Sequence, residues 1–158
     1  MIAASIMSTE IVTLRPDDTI ARAVELLARY RIRAIPVIDD EKKVVGLIVP
    51  RKVLRAALPR YISSGDLKDI RFAPELPNFA QRINDMALRN VSEFMDGCFI
   101  KVTPETSAME VAALFVNTEP QTESIIVVDD ASRLLGIISP WDLFKRILIY
   151  TQKNETGQ

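Results

Sequence analysis

The stretch Gly136-Ile137-Ile138-Ser139-Pro140-Trp141-Asp142 joins a β-rich apolar run to the start of a helix, and Gly46-Leu47-Ile48-Val49-Pro50-Arg51-Lys52 matches it at an offset of 90 residues. In both copies a glycine precedes apolar residues and a proline follows them. Proline suits the first position of a helix because it has no amide hydrogen to lose there. The sequence is therefore written twice, and a repeated unit determines the architecture before any single motif is considered.

The repeat extends toward the N-terminus of each copy. Ile35-Pro36-Val37-Ile38-Asp39-Asp40 returns as Ile125-Ile126-Val127-Val128-Asp129-Asp130 at the same offset of 90, whereas Met7 and Pro16 return as Met95 and Pro104 at an offset of 88. A two-residue insertion within residues 117–123 explains the difference. In each copy two apolar runs flank a polar turn, at residues 39–43 or 129–133, which predicts a hairpin with both strands largely buried.

An amphipathic helix is predicted before each hairpin and a second one after it. Apolar residues of the first helix follow i, i+3, i+4, i+7 spacing, and they are Ile20, Ala23, Val24 and Leu27, then Ala108, Val111, Ala112 and Phe115. The second helix begins at Pro50 or Pro140. The predicted order is strand, helix, strand, strand, helix, twice. This is an α/β (α+β) fold with one repeat at residues 1–58 and the other at 91–150.

Residues 59–90 belong to neither repeat and form a linker. Prolines and the Ser63-Ser64-Gly65 run predict an irregular start. Phe79, Ile83 and Met86 are spaced for one apolar helix face, so the linker is predicted to end in a helix. We expect this helix to pack beside the second repeat or to lengthen a dimer contact, with packing favoured. Residues 151–158 form a polar tail that is expected to fray.

Composition excludes several classes of function. With 20 basic and 21 acidic residues the net charge is −1, so no overall basic field favours nucleic acid or anionic lipid. Histidine is absent and Cys98 is the single cysteine, which removes the usual metal ligands and catalytic bases. No nucleophile–base pair is recognisable. We expect no catalytic residues, no metal site, no enzyme activity and no nucleic-acid partner.

The hydropathy pattern predicts a protein away from membranes. No apolar stretch approaches the roughly 20 residues that span a bilayer, and residues 1–7 lack the pattern of a signal peptide. We therefore expect no membrane contact and a cytoplasmic location.

Three features together resemble CBS repeats, over about residues 3–58 and 91–150. They are the extended lead-in at the start of each repeat, which ends in Pro16 or Pro104, the I-P-V-I-D-D strand and the G-I-I-S-P-W-D-L stretch. A pair of such repeats is a Bateman module. The resemblance implies pseudo-two-fold packing of the repeats, with clefts that bind adenosine ligands such as AMP, ADP, ATP or S-adenosylmethionine. It also implies a homodimer and a regulatory role. A signal would pass to a separate, unidentified protein target or to an oligomer contact, because no output domain is recognisable.

The family's ligand motif is glycine, two apolar residues, Ser or Thr, two further residues, and Asp. The second repeat has it whole, so the resemblance implies a ligand site formed by Ile138, Ser139, Pro140 and Asp142. A carboxylate suits ribose because it accepts charge-assisted bonds from both hydroxyls of the diol. Ser-x-x-Asp is also typical of a helix N-cap followed by an acid that favours the helix dipole. The two roles are compatible.

The resemblance also implies that the first repeat completes this cleft, through Arg33, Ala34, Ile35 and Asp18. Arg33 would meet phosphates by bidentate bonds, Ile35 would flank the base, and Ala34 would leave room for it. A helix cap is an equally good interpretation of Asp18.

The symmetry-related second cleft would use Val49, Lys52, Ser124 and Ile125, and it lacks the ribose-binding acid. Lys52 is interpreted either as a substitute phosphate contact or, more commonly, as a solvated lysine. One ligand per chain is expected. The alternative function is a structural dimerisation or scaffold module with vestigial clefts, and a ligand titration separates the two.

Two further side chains have open interpretations. Trp141 stacks on a base or partner chain, or it is buried between the repeats. Cys98 is expected to fill a small apolar space near the first strand of the second repeat.

Overall fold

A computed structural model describes residues 1–65 and 76–155. The helices are α1 (Ala3–Ile6), α2 (Ile20–Tyr30), α3 (Pro50–Ala57), α4 (Arg60–Ser63), α5 (Leu76–Ala87), α6 (Ala108–Asn117) and α7 (Pro140–Glu155). The strands are β1 (Ile35–Ile38), β2 (Val44–Ile48), β3 (Lys101–Val102), β4 (Ile125–Val128) and β5 (Leu134–Ile138). Both prolines begin their helices as predicted, and the mixed α/β fold is confirmed.

The two predicted hairpins are confirmed. Strands β1 and β2 form one sheet, and β3, β4 and β5 form another in which β4 runs antiparallel to β5 and parallel to β3. Each turn closes on an aspartate, Asp39 or Asp129, whose Oδ1 accepts bonds from the amides two and four residues later at 2.9–3.0 Å. Such a side-chain bond is the reason aspartate favours turns.

The first strand differs between the repeats. In the second repeat Val102 of β3 pairs with Val127 of β4. In the first repeat the predicted strand is reduced to one parallel bridge between the equivalent residues, Leu14 and Val37.

Helix α2 begins where its capping residue places it, but it buries a different face from the predicted one. The Thr19 hydroxyl accepts a bond from the Arg22 amide at 3.2 Å, as Ser107 does from Glu110 at the start of α6. Val24 was expected inside, yet it is 54% exposed, and Leu26 is buried instead. The packed face follows Ile20, Ala23 and Leu26, which turns Val24 toward solvent.

The chain forms two compact units that do not coincide with the repeats. The first unit contains Met1–Val12, Ile38–Val44 and the chain from Cys98 onward. The second contains Thr13–Val37 and Val45–Gly97. The core of the first unit contains both the lead-in of repeat 1 and the strands and helices of repeat 2, through Ala3, Ile6, Val102, Val111, Ile125, Val127, Ile138 and Leu143.

The same contacts recur in both units at the repeat offsets. In the first unit Ser8 exchanges two backbone bonds with Ile137 at 2.9 and 3.0 Å. In the second unit Asp96 exchanges two with Leu47 at 2.7 and 2.9 Å. Each lead-in therefore pairs with the hairpin of the other repeat.

Helix α5 occupies the end of the linker and packs against α2 and α3 of the first repeat. The expectation that it lies beside the second repeat was wrong. Its Met86 is buried, whereas Ile83 is exposed. The expected irregular start of the linker includes the short helix α4, and residues 66–75 lie outside the described residues.

The polar tail begins as helix. Helix α7 continues to Glu155, so residues 151–155 are helical. Residues 156–158 lie outside the described residues, and fraying of the tail stays a prediction.

Candidate ligand site

The candidate site is the junction between β5 and α7, where the structure brings Ser139 and Asp142 together. Asp142 Oδ2 accepts bonds from the Ser139 amide and from the Ser139 hydroxyl, both at 2.7 Å. Within residues 1–65 and 76–155, Asp142 Oδ1 accepts no hydrogen bond. The carboxylate thus carries out half of a capping box and keeps one oxygen available for another donor.

The flanking residues hold this junction in place. Ile138 ends β5 with its side chain fully buried in the core of the first unit. Pro140 begins α7, and Met7 lies directly against Gly136. Ile138 therefore anchors the segment, while Ser139, Pro140 and Asp142 are half-buried and retain exposed surface.

Asp18 closes a turn and is not the cap of α2. Its Oδ2 accepts a bond from the Arg15 amide at 2.7 Å, and its own amide donates to the Arg15 carbonyl at 3.0 Å. The cap of α2 is Thr19, the next residue. The cap interpretation of Asp18 placed the cap one residue too early. Asp18 and Thr19 are both good capping residues, so the sequence alone does not distinguish them.

The other predicted contacts of the first repeat lie in the second compact unit, just before and in β1. Arg33 is exposed, Ala34 is buried, and Ile35 is fully buried. Their participation in the same site as Ser139 and Asp142 stays a prediction.

The ammonium of Lys52 donates to the carboxylate of Asp96, so Lys52 is not simply a solvated lysine. Its role as a phosphate contact stays a prediction. The side chain of Lys52 is 38% exposed and that of Asp96 is 18% exposed. Val49 provides no side-chain cap for α3. The sequence reasoning missed Asp96. A comparison of the two repeats gives a signal, because the second repeat has an acid, Asp96, where the first has Ser8, and the first has a base, Lys52, where the second has Asp142.

The remaining residues of the predicted second cleft are largely inside the first unit. Ser124 is buried, its carbonyl accepts a bond from the Thr122 hydroxyl at 2.9 Å, and Ile125 is fully buried. Their assignment to a ligand site stays a prediction.

Two side chains are more exposed than the sequence suggested. Trp141 is 61% exposed, with its ring centre 6.0 Å from that of Phe144, so its burial between repeats was wrong. Cys98 is exposed as well and does not fill an apolar space.

No group of three potential metal ligands occurs among the residues described. Across the same part of the chain, none of the helices combines the length and apolar character needed to cross a bilayer.

A doubled hairpin-and-helix unit, with a serine and an aspartate at one helix start, defines a tandem-repeat α/β module. The CBS domain family matches residues 3–59 and 91–149. The chain therefore belongs to the CBS-domain family.

Relatives in known proteins share this unit as part of longer chains. Inosine-5'-monophosphate dehydrogenase of Methanocaldococcus jannaschii is 28% identical over 144 residues, which are 91% of this chain and 23% of that enzyme. The chloroplastic CBS domain-containing protein CBSX1 of Arabidopsis thaliana is 28% identical over 142 residues, 85% of this chain and 58% of that protein. The chain thus spans less than two thirds of either relative and corresponds to their CBS part.

The solved structures show the same fold. The crystal structure of CBSX2 in complex with AMP matches with a TM-score of 0.71 at 20% identity, and the match covers 95% of this chain and 98% of that one.

Proposed function

We propose that the chain is a regulatory module that binds an adenosine-containing ligand, namely AMP, ADP, ATP or S-adenosylmethionine, through Ser139 and Asp142. The observation that carries this proposal is the half-used Asp142 carboxylate at the start of α7. CBS-family membership and the AMP bound in CBSX2 support the ligand class.

The chemistry of the junction suits a ribose. Asp142 Oδ1 is available to accept bonds, and the Ser139 hydroxyl, which donates to Asp142, keeps its lone pairs as acceptors. A vicinal diol supplies two donors to such a carboxylate, and half-burial strengthens those bonds relative to bulk water. The phosphate end of a nucleotide would instead be repelled by the same charge, so the ribose is the part that Asp142 receives.

Arg33 is proposed as the phosphate contact, with Ile35 flanking the base, Ala34 leaving room for it and Asp18 lining the same cleft. This assignment separates the possible ligands. Arg33→Met should weaken AMP, ADP and ATP about tenfold or more, because a charge-assisted bidentate bond is lost. Binding of S-adenosylmethionine, which has no phosphate, should stay within about twofold. Calorimetric titration of the four ligands tests this assignment.

The ligand itself is identified by thermal unfolding with AMP, ADP, ATP and S-adenosylmethionine. A ligand present at 100 times its dissociation constant should stabilise the fold by about 2.7 kcal/mol. No shift with any of the four would contradict the proposal.

Replacing Asp142 tests the proposed contact. Asp142→Ala should weaken the adenosine ligand about ten- to a hundredfold, because charge-assisted bonds worth roughly 1.5–3 kcal/mol are lost. The same change removes the bonds to Ser139 and should cost about 0.5–2 kcal/mol of stability, the range for a lost cap. Calorimetry measures the affinity and thermal unfolding measures the stability.

Lys52→Ala is the matched control, because Lys52 occupies the equivalent position in the first repeat. It breaks the ion pair with Asp96 and should lower stability while leaving the main affinity within about twofold. If Asp142→Ala bound as tightly as the parent, or if Lys52→Ala alone lost affinity, Asp142 would be only a capping residue.

The alternative function, a dimerisation or scaffold module, is favoured by one observation on α7. Large apolar side chains remain exposed along this helix, namely Phe144, Ile147, Leu148, Ile149 and Tyr150. Exposed apolar surface of this kind marks interaction sites, and a symmetric dimer buries it most simply. We propose that α7 forms a homodimer contact, whether or not a ligand is bound.

Sedimentation tests the dimer. The parent chain should sediment as a dimer at micromolar concentration, and Leu148→Glu should give a monomer because it buries an uncompensated charge. Val116→Glu changes an equally apolar exposed residue on α6 and should leave the dimer intact. A parent that is monomeric with and without nucleotide would exclude both the contact and the scaffold role. A dimer that binds none of the four ligands would favour the scaffold role alone.

A further inference from the structure

We infer that Asp96 is an internal counter-ion that withholds Lys52 from phosphate and thereby limits the chain to one bound nucleotide. The inference deepens the proposed function, on which its statement about stoichiometry rests. It is carried by the ion pair between Lys52 and Asp96, whose equivalent positions in the first unit, Asp142 and Ser8, cannot form one.

Comparison of equivalent positions shows what has changed. Lys52 stands where the second repeat has Asp142, and Asp96 stands where the first repeat has Ser8. In the first unit Asp142 bonds only to Ser139 within the described residues, and it keeps an available oxygen. In the second unit the carboxylate belongs instead to the lead-in, as Asp96, and it pairs with the ammonium of Lys52.

The backbone fixes Asp96 in this role. Its amide donates to the Leu47 carbonyl at 2.7 Å, and its carbonyl accepts from the Leu47 amide at 2.9 Å. Leu47 is itself buried in β2. The Asp96 carboxylate is therefore held near α3 by the strand pairing and does not depend on the flexible lysine to bring it there.

The pair makes both groups poor partners for a nucleotide. An ammonium alone attracts phosphate, and a carboxylate alone accepts from a ribose diol. Bonded to each other, they present almost no net charge. A ligand must then displace a partly buried partner to reach either group, and the displaced charge loses its compensation.

Removing the charge of Asp96 tests the inference directly. Asp96→Asn keeps the size of the side chain and the backbone pairing but frees Lys52 for an anion. Inorganic tripolyphosphate is the probe, because it binds a cation without needing a ribose or a base. We expect Asp96→Asn to bind tripolyphosphate about tenfold tighter than the parent, which corresponds to 1.4 kcal/mol. The added binding should weaken as salt rises.

Three controls make the result specific. Lys52→Met/Asp96→Asn should lose the gain, because no ammonium remains. Ser8→Asn, the equivalent change in the other repeat, should produce none. Titration with ATP should give one ligand per chain for the parent and a second, weaker event for Asp96→Asn. Adenosine, which lacks phosphate, should not give that second event.

The outcomes separate this inference from the proposed function. A parent that binds none of the four adenosine ligands contradicts the proposed function, yet a Lys52-dependent gain in tripolyphosphate binding still supports the role of Asp96. A folded Asp96→Asn protein with the parent's tripolyphosphate affinity overturns the inference. If Asp96→Asn does not fold, Asp96→Ser, which copies Ser8, is measured in its place against the same expectations.

Discussion

Gly136 and Gly46 owe their identity to methionine side chains that lie against them. A Cβ at Gly136 would collide with the side chain of Met7, and one at Gly46 would lie 2.7 Å from both Cγ and Sδ of Met95. Neither glycine adopts a left-handed backbone, so the space above the residue, and not its torsion, excludes a side chain. The same steric requirement in both repeats explains why the glycine and the methionine recur together.

Alanine at these glycines should therefore destabilise the protein. Gly136→Ala and Gly46→Ala should each cost about 1–3 kcal/mol, the usual range for overpacking. Gly97→Ala is the control, because no atom lies within 4 Å of its added Cβ, and it should be nearly neutral. Denaturant unfolding measures all three. The Met7→Ala change should reduce the penalty of Gly136→Ala, and additive effects of the two changes would contradict the contact.

Residue-scale prediction from sequence worked where the interacting groups are close in the chain. Ser139 and Asp142 lie three positions apart, so their contact follows from helix geometry. Lys52 and Asp96 are 44 positions apart, and no local sequence pattern predicts their ion pair. Comparison of the repeats shows that both positions differ between the copies, and the fold shows that the two side chains pair.

The hairpin turns show how a local electrostatic interaction shapes an element. The backbone amide of Arg133 holds the pKa of the Asp129 carboxyl below its ordinary value, and the Arg133 side chain and the Ala131 amide act in the same direction against partial desolvation. The Arg133 guanidinium bonds to Asp129 Oδ2 at 2.7 Å. These bonds favour the ionised form of Asp129, so they couple the turn to pH.

The sign of this coupling gives a prediction. A carboxyl whose pKa is depressed in the folded state contributes stability above its unfolded pKa, and this contribution is lost as pH falls through the folded value. Carboxyl chemical shifts should thus show Asp129 titrating below its ordinary range. Arg133→Gln should raise the pKa of Asp129 only in part, because the amide bond remains. A carboxyl that titrates at its ordinary value in the parent would show that the turn is not held this way.

The elements themselves were predictable to different degrees. The hairpins were predicted correctly because their strands and turn residues are contiguous in sequence. The buried face of α2 was predicted wrongly at Val24, because α5, against which α2 packs, belongs to a linker outside the repeat pattern. Apolar spacing predicts that a helix has a buried face, but the elements that pack against the helix determine which residues lie at the centre of that face.

At the scale of the whole molecule, the boundaries of the repeats differ from those of the compact units. Sequence similarity groups each lead-in with the hairpin that follows it. The structure instead pairs Ser8 with Ile137 and Asp96 with Leu47. Because the two copies have equivalent pairing groups, the sequence pattern is satisfied equally well by either arrangement, and only the three-dimensional packing distinguishes them.

The exchange of lead-ins predicts which amides depend on the N-terminus. The Ala108 amide donates to the Met1 carbonyl and the Ile137 amide to the Ser8 carbonyl, both at 3.0 Å. Deleting residues 1–9 should therefore speed hydrogen exchange at Ala108 and Ile137 by roughly a hundredfold, since about 2.8 kcal/mol of local stability is lost with these bonds and with buried Ile6. The equivalent amides of Ile20 and Leu47 donate to Arg89 and Asp96 and serve as internal controls.

The comparison of these amides decides between the two arrangements. If the lead-in packed on its own repeat, its deletion would speed exchange at Ile20 and Leu47 first, because those amides belong to the first repeat. The exchanged arrangement predicts the reverse order. Ile6→Ala is the milder variant if the deletion unfolds the whole chain, because it keeps every backbone bond and removes only side-chain volume from the core of the first unit. Faster exchange at Ala108 and Ile137 than at Ile20 and Leu47 in that variant would also show that the N-terminal lead-in packs with the second repeat. The reason is that the substitution destabilises first the unit whose core contains Ile6.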